Sequence, residues 1–554
     1  MSGDDAIPGL PLNVLQRLSE LQETHGWLSE ETLRQLSKAE TIPLYALEAV
    51  TSFYPHYRRT PPPRLSISVC RDAPCALRGA EALCQSTRRR LATRTDVEVV
   101  EVSCLGRCEV APAASINDAP VGAATDSGLE AMALGRTPLP SMEPTSSGRR
   151  FTTDPYEPSE PRYGVLRRLL AGGGAAIDAI PAALTAAGLK GMGGAGFPTG
   201  RKWDLVRRAE GAPKYVVCNA DESEPGTFKD RVILAELPHL MLEGMLLACR
   251  VIGARTAIVY LRHEYGPEKR ALARAIDEAK RLGVVAAAGV ESLTIFTSPG
   301  GYILGEETAL LEALEGRRGE PRNKPPFPGT HGLYGKPTLM NNVETFAHVP
   351  RILSDGPEAW KARGKNGGEG LKFIALAGDV VRPGVYEVPM GTTVRELIDA
   401  HGGGITDGRA LMGFLPGGAS TAFLPASKAA TPLTFEALRA AGSALGSGAV
   451  MALAAGRDVL AVAANVVRFF RNESCGKCVP CRVGSEKAVE ILDRVVAGTS
   501  SPKDLEALPA LHETLSLSSI CGLGQVALVP AISVLENFPE RLRPRPRGDT
   551  KSPA

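Results

Sequence analysis

The sequence predicts a multidomain protein of mixed α/β and α class, and three observations predict it. The chain has 554 residues, too many for one ordinary core, and three or four domains are expected. Strand-like and helix-like runs alternate over much of its length. Eleven cysteines are present, and eight of them fall into two spaced groups.

The elements follow in order. Residues 1–60 form an N-terminal helical segment. Leu15, Leu18 and Leu21 share one face, and Leu33 and Leu36 follow a Ser29-Glu-Glu helix start. Residues 61–136 read as β-α-β-β: LSISVC (65–70), a helix over 77–92, VEVVEVSC (97–104) and AASIND (113–118). With cysteines at the strand ends, this suggests a small thioredoxin-like module. Residues 137–163, rich in Pro, Ser and Thr, read as a linker. Residues 164–365 alternate helix and strand, with KYVVCNA (214–220), ARTAIVYL (254–261) and ESLTIFTSPG (291–300) as strands. Residues 366–456 suggest the strand–turn–strand–helix of a β-grasp module. Residues 457–537 have long helical periodicity with cysteines in the turns. The tail, 538–554, carries four Arg and four Pro and is expected to be disordered.

Composition excludes several classes of function. Net charge is +2, so no field for nucleic acid or anionic membrane is expected. No apolar run approaches the roughly 20 residues that span a bilayer. Residues 1–30 lack a basic start followed by an apolar run. A cytoplasmic protein without direct membrane insertion is expected. A reducing cytosol argues against a disulfide framework. Cys84, Cys218 and Cys249 lie in apolar contexts and read as buried small hydrophobes.

Cys70 and Cys75 form C-x4-C, and Cys104 and Cys108 form C-x3-C. Two close pairs of thiolates suit one [2Fe–2S] cluster, two sulfurs per iron. Structural zinc and a site without metal are the alternatives; zinc more often uses C-x2-C knuckles and His. Gly106 and Arg71 are placed to lend backbone N–H groups to the sulfurs. Cys475, Cys478 and Cys481 form C-x2-C-x2-C, and Cys521 follows in Ser-Ile-Cys-Gly. Three clustered thiolates and one remote one suit a [4Fe–4S] cubane, with zinc again the alternative.

Gly188–Trp203 is the densest glycine run. Backbone without side chains approaches a phosphate or a flat ring closely. It lacks the strand and acidic residue of a Rossmann fingerprint, and alone it reads equally as a flexible loop. Four polar patches accompany it. Asn219, Asp221, Glu222 and Glu224 follow a strand, where α/β sheets bind ligands. Tyr302 and Gly305 precede Glu306 and Glu307 at a helix start, where the helix dipole alone explains carboxylates. Arg322, Lys324 and Phe327 form a rigid basic and aromatic strip. Asn341, Asn342 and Glu344 form the last patch.

Segments 188–204, 218–231, 302–308, 322–345, 473–482 and 519–524 resemble the flavoprotein subunit of the NADH dehydrogenase module. That module is shared by respiratory complex I, NAD-reducing hydrogenases and NAD-dependent molybdenum or tungsten formate dehydrogenases. Residues 11–135 resemble the module's small thioredoxin-like [2Fe–2S] subunit, fused in front. Fused versions resemble the beta subunits of soluble formate dehydrogenases and the diaphorase subunits of soluble hydrogenases, and Phe414–Ser420 followed by Leu424-Pro-Ala-Ser looks closest to the formate dehydrogenase beta subunits.

The resemblance implies FMN, NAD, [4Fe–4S] and [2Fe–2S]. By it, Gly191, Gly193, Gly194, Gly196 and Lys202 hold FMN. Asn219, Asp221, Tyr302, Gly305, Glu306, Asn341 and Asn342 complete the flavin pocket. Glu224 sits near flavin and nicotinamide as the candidate catalytic residue. Phe197 and Phe327 pack adenine, Glu307 bonds the adenosine ribose, and Lys324 neutralises phosphate. Three positions depart from the family: Met192 stands for a common Arg, Leu304 for a frequent Cys, and Leu205 for a residue that is aromatic in some relatives. A hetero-oligomer is implied, with a catalytic alpha subunit carrying molybdopterin and iron–sulfur clusters.

Overall fold

The computed structural model describes residues 13–144 and 147–539. Three helices open it: Val14–His25, Glu30–Glu40 and Leu44–Phe53. Asn13 and Gln16 exchange the reciprocal bonds of a capping box, and Ser29 caps the second helix. Leu15, Leu18, Leu33 and Leu47 share a core with Leu310 and Leu314 of the Glu307–Leu314 helix. Asn13 Nδ2 also donates to Leu314 O at 2.8 Å. The segment is thus docked on the module that follows much later in the chain.

The thioredoxin-like module holds strands β1 (Leu65–Cys70), β2 (Val97–Val102), β3 (Ala114–Ile116) and β4 (Ala119–Val121) in the order β2-β1-β3-β4. β1 and β2 are parallel, and β3 is antiparallel to both β1 and β4. Both cysteine pairs therefore leave from the carboxyl ends of parallel neighbours.

Residues 147–163 contain no helix or strand before 164, but they are held in place. Phe151 and Tyr156 are buried. Tyr156 OH donates to Glu243 Oε1 at 2.8 Å, and the Thr153 N–H donates to Glu387 Oε1 at 2.6 Å. Their Pro-, Ser- and Thr-rich composition suggests a free linker; the aromatic side chains within it bury instead.

The third module is built on β5 (Tyr215–Ala220), β6 (Thr256–Leu261), β7 (Ser292–Thr297) and β8 (Thr338–Asn342). The order is β7-β6-β5-β8, and every pair is parallel. Burial on both faces explains the near-continuous apolar strands. The register sets Cys218 beside Asn341 and Asn219 beside Asn342. The next sheet comprises β9 (Leu371–Gly378), β10 (Gly384–Pro389), β11 (Leu411–Leu415), β12 (Leu424–Pro425) and β13 (Ala449–Ala454), in the order β10-β9-β13-β11-β12. Helices Val459–Asn472, Val479–Val496, Pro502–Ser518, Gly522–Val526 and Val529–Asn537 complete the fold. Phe538, placed in the expected tail, is buried; residues 540–554 lie outside the described residues.

Among the described residues no single helix is long and apolar enough to cross a membrane. One bent pair, Lys229–Glu236 with Pro238–Ile252, passes on composition; most of the second helix is buried in the core.

A buried ionic network fastens the all-parallel module to the five-stranded sheet. Glu344, fully buried, lies 2.9 Å from Lys229 Nζ and 2.5 Å from Lys372 Nζ. It also accepts the Phe373 N–H at 2.8 Å. Burial pushes the Glu344 carboxyl up, but the two ammonium groups hold it well below the ordinary range. Burial pulls Lys372 down to about 8 against the pull of Glu344. Breaking a buried pair leaves an uncompensated charge and costs about 3–5 kcal/mol. Glu344→Ala is therefore expected to lower the first melting transition by at least about 5 °C, measured by calorimetry. An unchanged midpoint would show that the network does not join the modules.

Candidate redox centre

The first cysteine group is assembled by strand ends. Cys70 closes β1, Cys75 lies in the short Ala73–Ala76 helix, and Cys104 and Cys108 follow β2. All four are buried. Cys104 Sγ and Cys108 Sγ are 3.6 Å apart, near the roughly 3.7 Å edge of a tetrahedral site with bonds of about 2.3 Å. The Gly106 N–H donates to Cys104 Sγ and the Ala113 N–H to Cys75 Sγ, each at 3.4 Å. Gly106 has φ +67°, which favours glycine. The expectation for Arg71 fails: its N–H pairs with Val102 O at 3.0 Å in the sheet, not with a sulfur. Cys84, Cys218 and Cys249 are buried outside both groups, as small apolar side chains.

The second group gathers around helix starts. Cys478 precedes the Val479–Val496 helix, Cys481 lies in its first turn, and Cys521 precedes Gly522–Val526. Cys475, Cys478 and Cys521 all act electrostatically on the Cys481 thiol, which burial pushes up to about 12. Gly524 is required by contact: a Cβ there would sit 3.0 Å from Cys481 Cβ. The remote fourth cysteine is thus brought against the clustered three.

The glycine loop is the third part. It closes on itself through Gly191 N–H to Phe197 O at 2.9 Å and Thr199 N–H to Leu189 O at 2.8 Å. Gly194 and Gly196 have φ +125° and +66°, and a Cβ on Gly193 would lie 3.2 Å from Asn342 Cβ. The loop therefore rests on the carboxyl end of β8. Lys202, on the Thr199–Arg208 helix, reaches back to Met340 O at 3.0 Å, and Trp203 Nε1 donates to Asn341 Oδ1 at 2.9 Å. Burial lowers the Lys202 ammonium below its ordinary value.

The polar patches meet at the same place. Asn219 Nδ2 donates to Gly305 O at 2.9 Å, and its Oδ1 accepts the Asp221 N–H at 3.1 Å. Both Asp221 carboxylate oxygens are buried without a well-formed hydrogen bond, with the Ser298 hydroxyl as their one nearby donor. Burial raises this carboxyl to about 8, against the pull of Arg262. Glu224 accepts the Ser420 N–H at 2.6 Å from the β-grasp module, and burial raises it to about 7. Glu306 caps the Glu307–Leu314 helix by accepting from Thr308 and Ala309 N–H at 2.9 Å, so the helix-start explanation holds for it. Lys324 Nζ lies 2.9 Å from Glu306 and 3.3 Å from Glu307. Phe197 and Phe327 are exposed, at 40% and 58%. Of the departures, Met192 and Leu304 are buried and Leu205 is exposed.

Residues that sequence reasoning missed join these parts. Glu473 accepts the Tyr302 N–H at 2.8 Å and also the Ser103 hydroxyl. It stands two residues before Cys475, and Ser103 one before Cys104. Tyr302 packs on Phe469, with ring centroids 5.0 Å apart. Thr345, which the sequence already places at the end of the Asn341–Glu344 patch, accepts the Met192 N–H on its Oγ1 at 2.9 Å. Asn342 is held by Asp230 and Lys229. The only sequence signal is position: Glu473 and Ser103 adjoin cysteine groups, and Lys229 and Asp230 adjoin the acidic turn.

Comparison with known proteins agrees with this layout. Four families match: "Nuo51 FMN-binding domain" over 184–351, "NADH-ubiquinone oxidoreductase-F iron-sulfur binding region" over 461–545, "Thioredoxin-like [2Fe-2S] ferredoxin" over 7–134 and "SLBB domain" over 373–424. An NADH-quinone oxidoreductase subunit of Rhizobium meliloti is 42% identical over 68% of this chain and 90% of its own length. The corresponding NADH-quinone oxidoreductase subunit of Escherichia coli is 42% identical over 66% of this chain and 84% of its own length. A chain of the crystal structure of NAD+-reducing [NiFe]-hydrogenase in the H2-reduced state is 34% identical, with TM-score 0.86 over 96% of this chain and 92% of that one. The expected cofactors, FMN, NAD, [4Fe–4S] and [2Fe–2S], stand, and the chain belongs to the family of NADH-binding flavoprotein subunits of NADH-quinone oxidoreductases.

Proposed function

We propose that this chain is the NAD(H)-reacting diaphorase subunit of a cytoplasmic hetero-oligomer, exchanging electrons with a formate-oxidising partner that carries molybdopterin. The observation that carries the diaphorase reading is the contact of three loops: glycine loop on β8, Asn219 on Gly305, and Glu473 on Tyr302.

The residues fit FMN by their unmet bonding capacity. Asp221 offers two buried oxygens without a well-formed hydrogen bond. Lys202 has donors beyond the one used on Met340 O. The glycine loop presents backbone at the carboxyl end of a parallel sheet, where such sheets bind ligands. Bound flavin supplies the exchange between a two-electron hydride and one-electron clusters. The chain's part is positional and electrostatic. Lys202 places positive charge for the phosphate, and Asp221, Asn219, Asn341 and Asn342 offer polar groups to the ring and ribityl chain. Phe197 and Phe327 offer flat apolar faces for adenine. Glu307 accepts from the ribose and repels a 2′-phosphate, favouring NAD over NADP. Glu224, with its carboxyl near neutrality at pH 7, holds a proton beside the nicotinamide pocket. The four C-terminal cysteines, as thiolates, would hold [4Fe–4S], and the four N-terminal ones would hold [2Fe–2S], each able to carry one electron.

Formate as the partner's substrate is supported by the full first cysteine group and residues 414–427; the fused N-terminal module fits either partner. A second reading, a hydrogen-oxidising partner, is supported by the likeness over nearly the whole chain to a chain of NAD+-reducing hydrogenase. Co-purification decides between them. A complex that reduces NAD+ with formate and not with hydrogen supports the first reading; the reverse supports the second.

Three substitutions test the assignment. Cys478→Ala should preserve flavin bleaching by NADH in stopped flow and abolish coupled turnover with the partner; unchanged coupled turnover removes the cubane from the path. Glu307→Gln should reduce the preference for NAD over NADP, in kcat/KM, by about tenfold, and an unaltered ratio counts against the ribose role. Asp221→Asn should weaken FMN binding by the worth of a neutral hydrogen bond, about 0.5–1.5 kcal/mol, since burial keeps the carboxyl mostly protonated at neutral pH. The same residue has a pH signature in flavin-free protein. Its carboxyl titrates near 8 when folded and near about 3.9 when unfolded, so the folded state binds the extra proton. The resulting stabilisation is full below about pH 4 and is lost as pH rises toward 8. Melting curves of flavin-free Asp221→Asn should decline less steeply than wild type over this range, because Glu224 and Glu243, raised by burial to about 7, still contribute; a decline equal to wild type would overturn the assignment.

A further inference from the structure

A second cluster of ligand-forming side chains lies outside both cysteine groups. His56 follows the Leu44–Phe53 helix, Asp118 sits in the β3–β4 turn, and His263 and Glu264 follow β6. The ligand atoms of His56, Asp118 and His263 all lie within 4.8 Å of one another. His263 Nε2 is 3.5 Å from Asp118 Oδ2, and His56 Nε2 is 3.5 Å from Glu264 Oε1. Bonds of about 2.0–2.1 Å in a tetrahedral zinc site separate the ligand atoms by roughly 3.3 Å. One edge of the group, His263 to Asp118, is therefore near that length already. The two imidazoles stack, with centroids 3.8 Å apart and planes 22° apart, so one ring must turn for both nitrogens to reach a shared ion, because each lone pair lies in its ring plane.

The surroundings look built for these rings. Gly300 makes room for His56: a Cβ there would collide with His56 Cδ2. Gln22 Nε2 donates to the His56 carbonyl at 2.6 Å and fixes its turn. Arg262 Nε donates to Glu264 Oε2 at 2.9 Å, leaving Oε1 toward His56, the kind of outer contact that orients a metal ligand. Two imidazoles with a carboxylate suit zinc and its neighbours, whereas calcium and magnesium take oxygen ligands.

We propose that His56, Asp118 and His263 form a zinc site, with Glu264 as an outer partner of His56, that clamps the N-terminal helices and the thioredoxin-like module onto the third module. The clamp adjoins the redox parts. Arg262, which orients Glu264, also donates to the carbonyl of the cluster cysteine Cys104 at 2.5 Å, and Gly300, under His56, lies two residues before Tyr302.

The test uses the full chain with flavin and clusters in place. After EDTA treatment that leaves iron and flavin unchanged, Zn2+ is titrated against a chelating dye. One zinc per chain with Kd below about 1 µM is expected. Zinc-edge X-ray absorption should show nitrogen and oxygen neighbours near about 2.0 Å and no sulfur shell near about 2.3 Å. His263→Ala should weaken binding by at least about tenfold. Asp118→Asn, in an exposed turn that tolerates change, should also weaken it while iron and flavin contents stay at wild-type values. Equal zinc binding by wild type and both variants, or a sulfur shell, would overturn the site.

Discussion

Glu473 accepts hydrogen bonds from two loops at once, and the redox layout depends on that contact. One oxygen takes the Tyr302 N–H beside the flavin pocket, and the other takes the Ser103 hydroxyl beside Cys104. Its own loop runs directly into Cys475. A single carboxylate thus ties the pocket to both cysteine groups. Electron transfer needs such nearness, because a nicotinamide gives two electrons together and an iron–sulfur cluster carries one.

The modules are arranged so that this contact is possible. Parallel strands β5 and β8 present Asn219 and Asn342 side by side at their carboxyl ends. The glycine loop then lies on Asn342, and Gly305 on Asp221. The Lys229–Glu344–Lys372 network holds the β-grasp sheet against this edge, which brings Ser420 onto Glu224. Stability and function are in tension at Asp221. A buried carboxyl without a well-formed hydrogen bond is costly in the empty protein, and that is the character of a residue whose partner is a ligand.

Much of this is legible in the residues. Cysteine spacing picks out two sets of four thiols that the fold then gathers, because a metal's ligand set restricts sequence as well as space. Glycine density and the acidic turn after β5 locate the pocket. β8 does not read as a strand, since Thr338–Asn342 is short, ends in two Asn and has no alternation. Phe151 and Tyr156 are lost in a stretch whose composition resembles a linker, and only tertiary contacts show where they bury. Adjacency places Arg71 beside a sulfur, but the sheet already claims its N–H. The Glu344 network and Glu473 are invisible in the sequence because their partners come from distant segments, and no local pattern encodes such meetings.

The central claim is that one chain holds a flavin and both clusters together. Metal and flavin analysis of the purified chain tests it most directly. The account predicts one FMN and about six iron atoms per chain, four plus two from the cluster types. Material that folds but contains neither yellow pigment nor iron would contradict it.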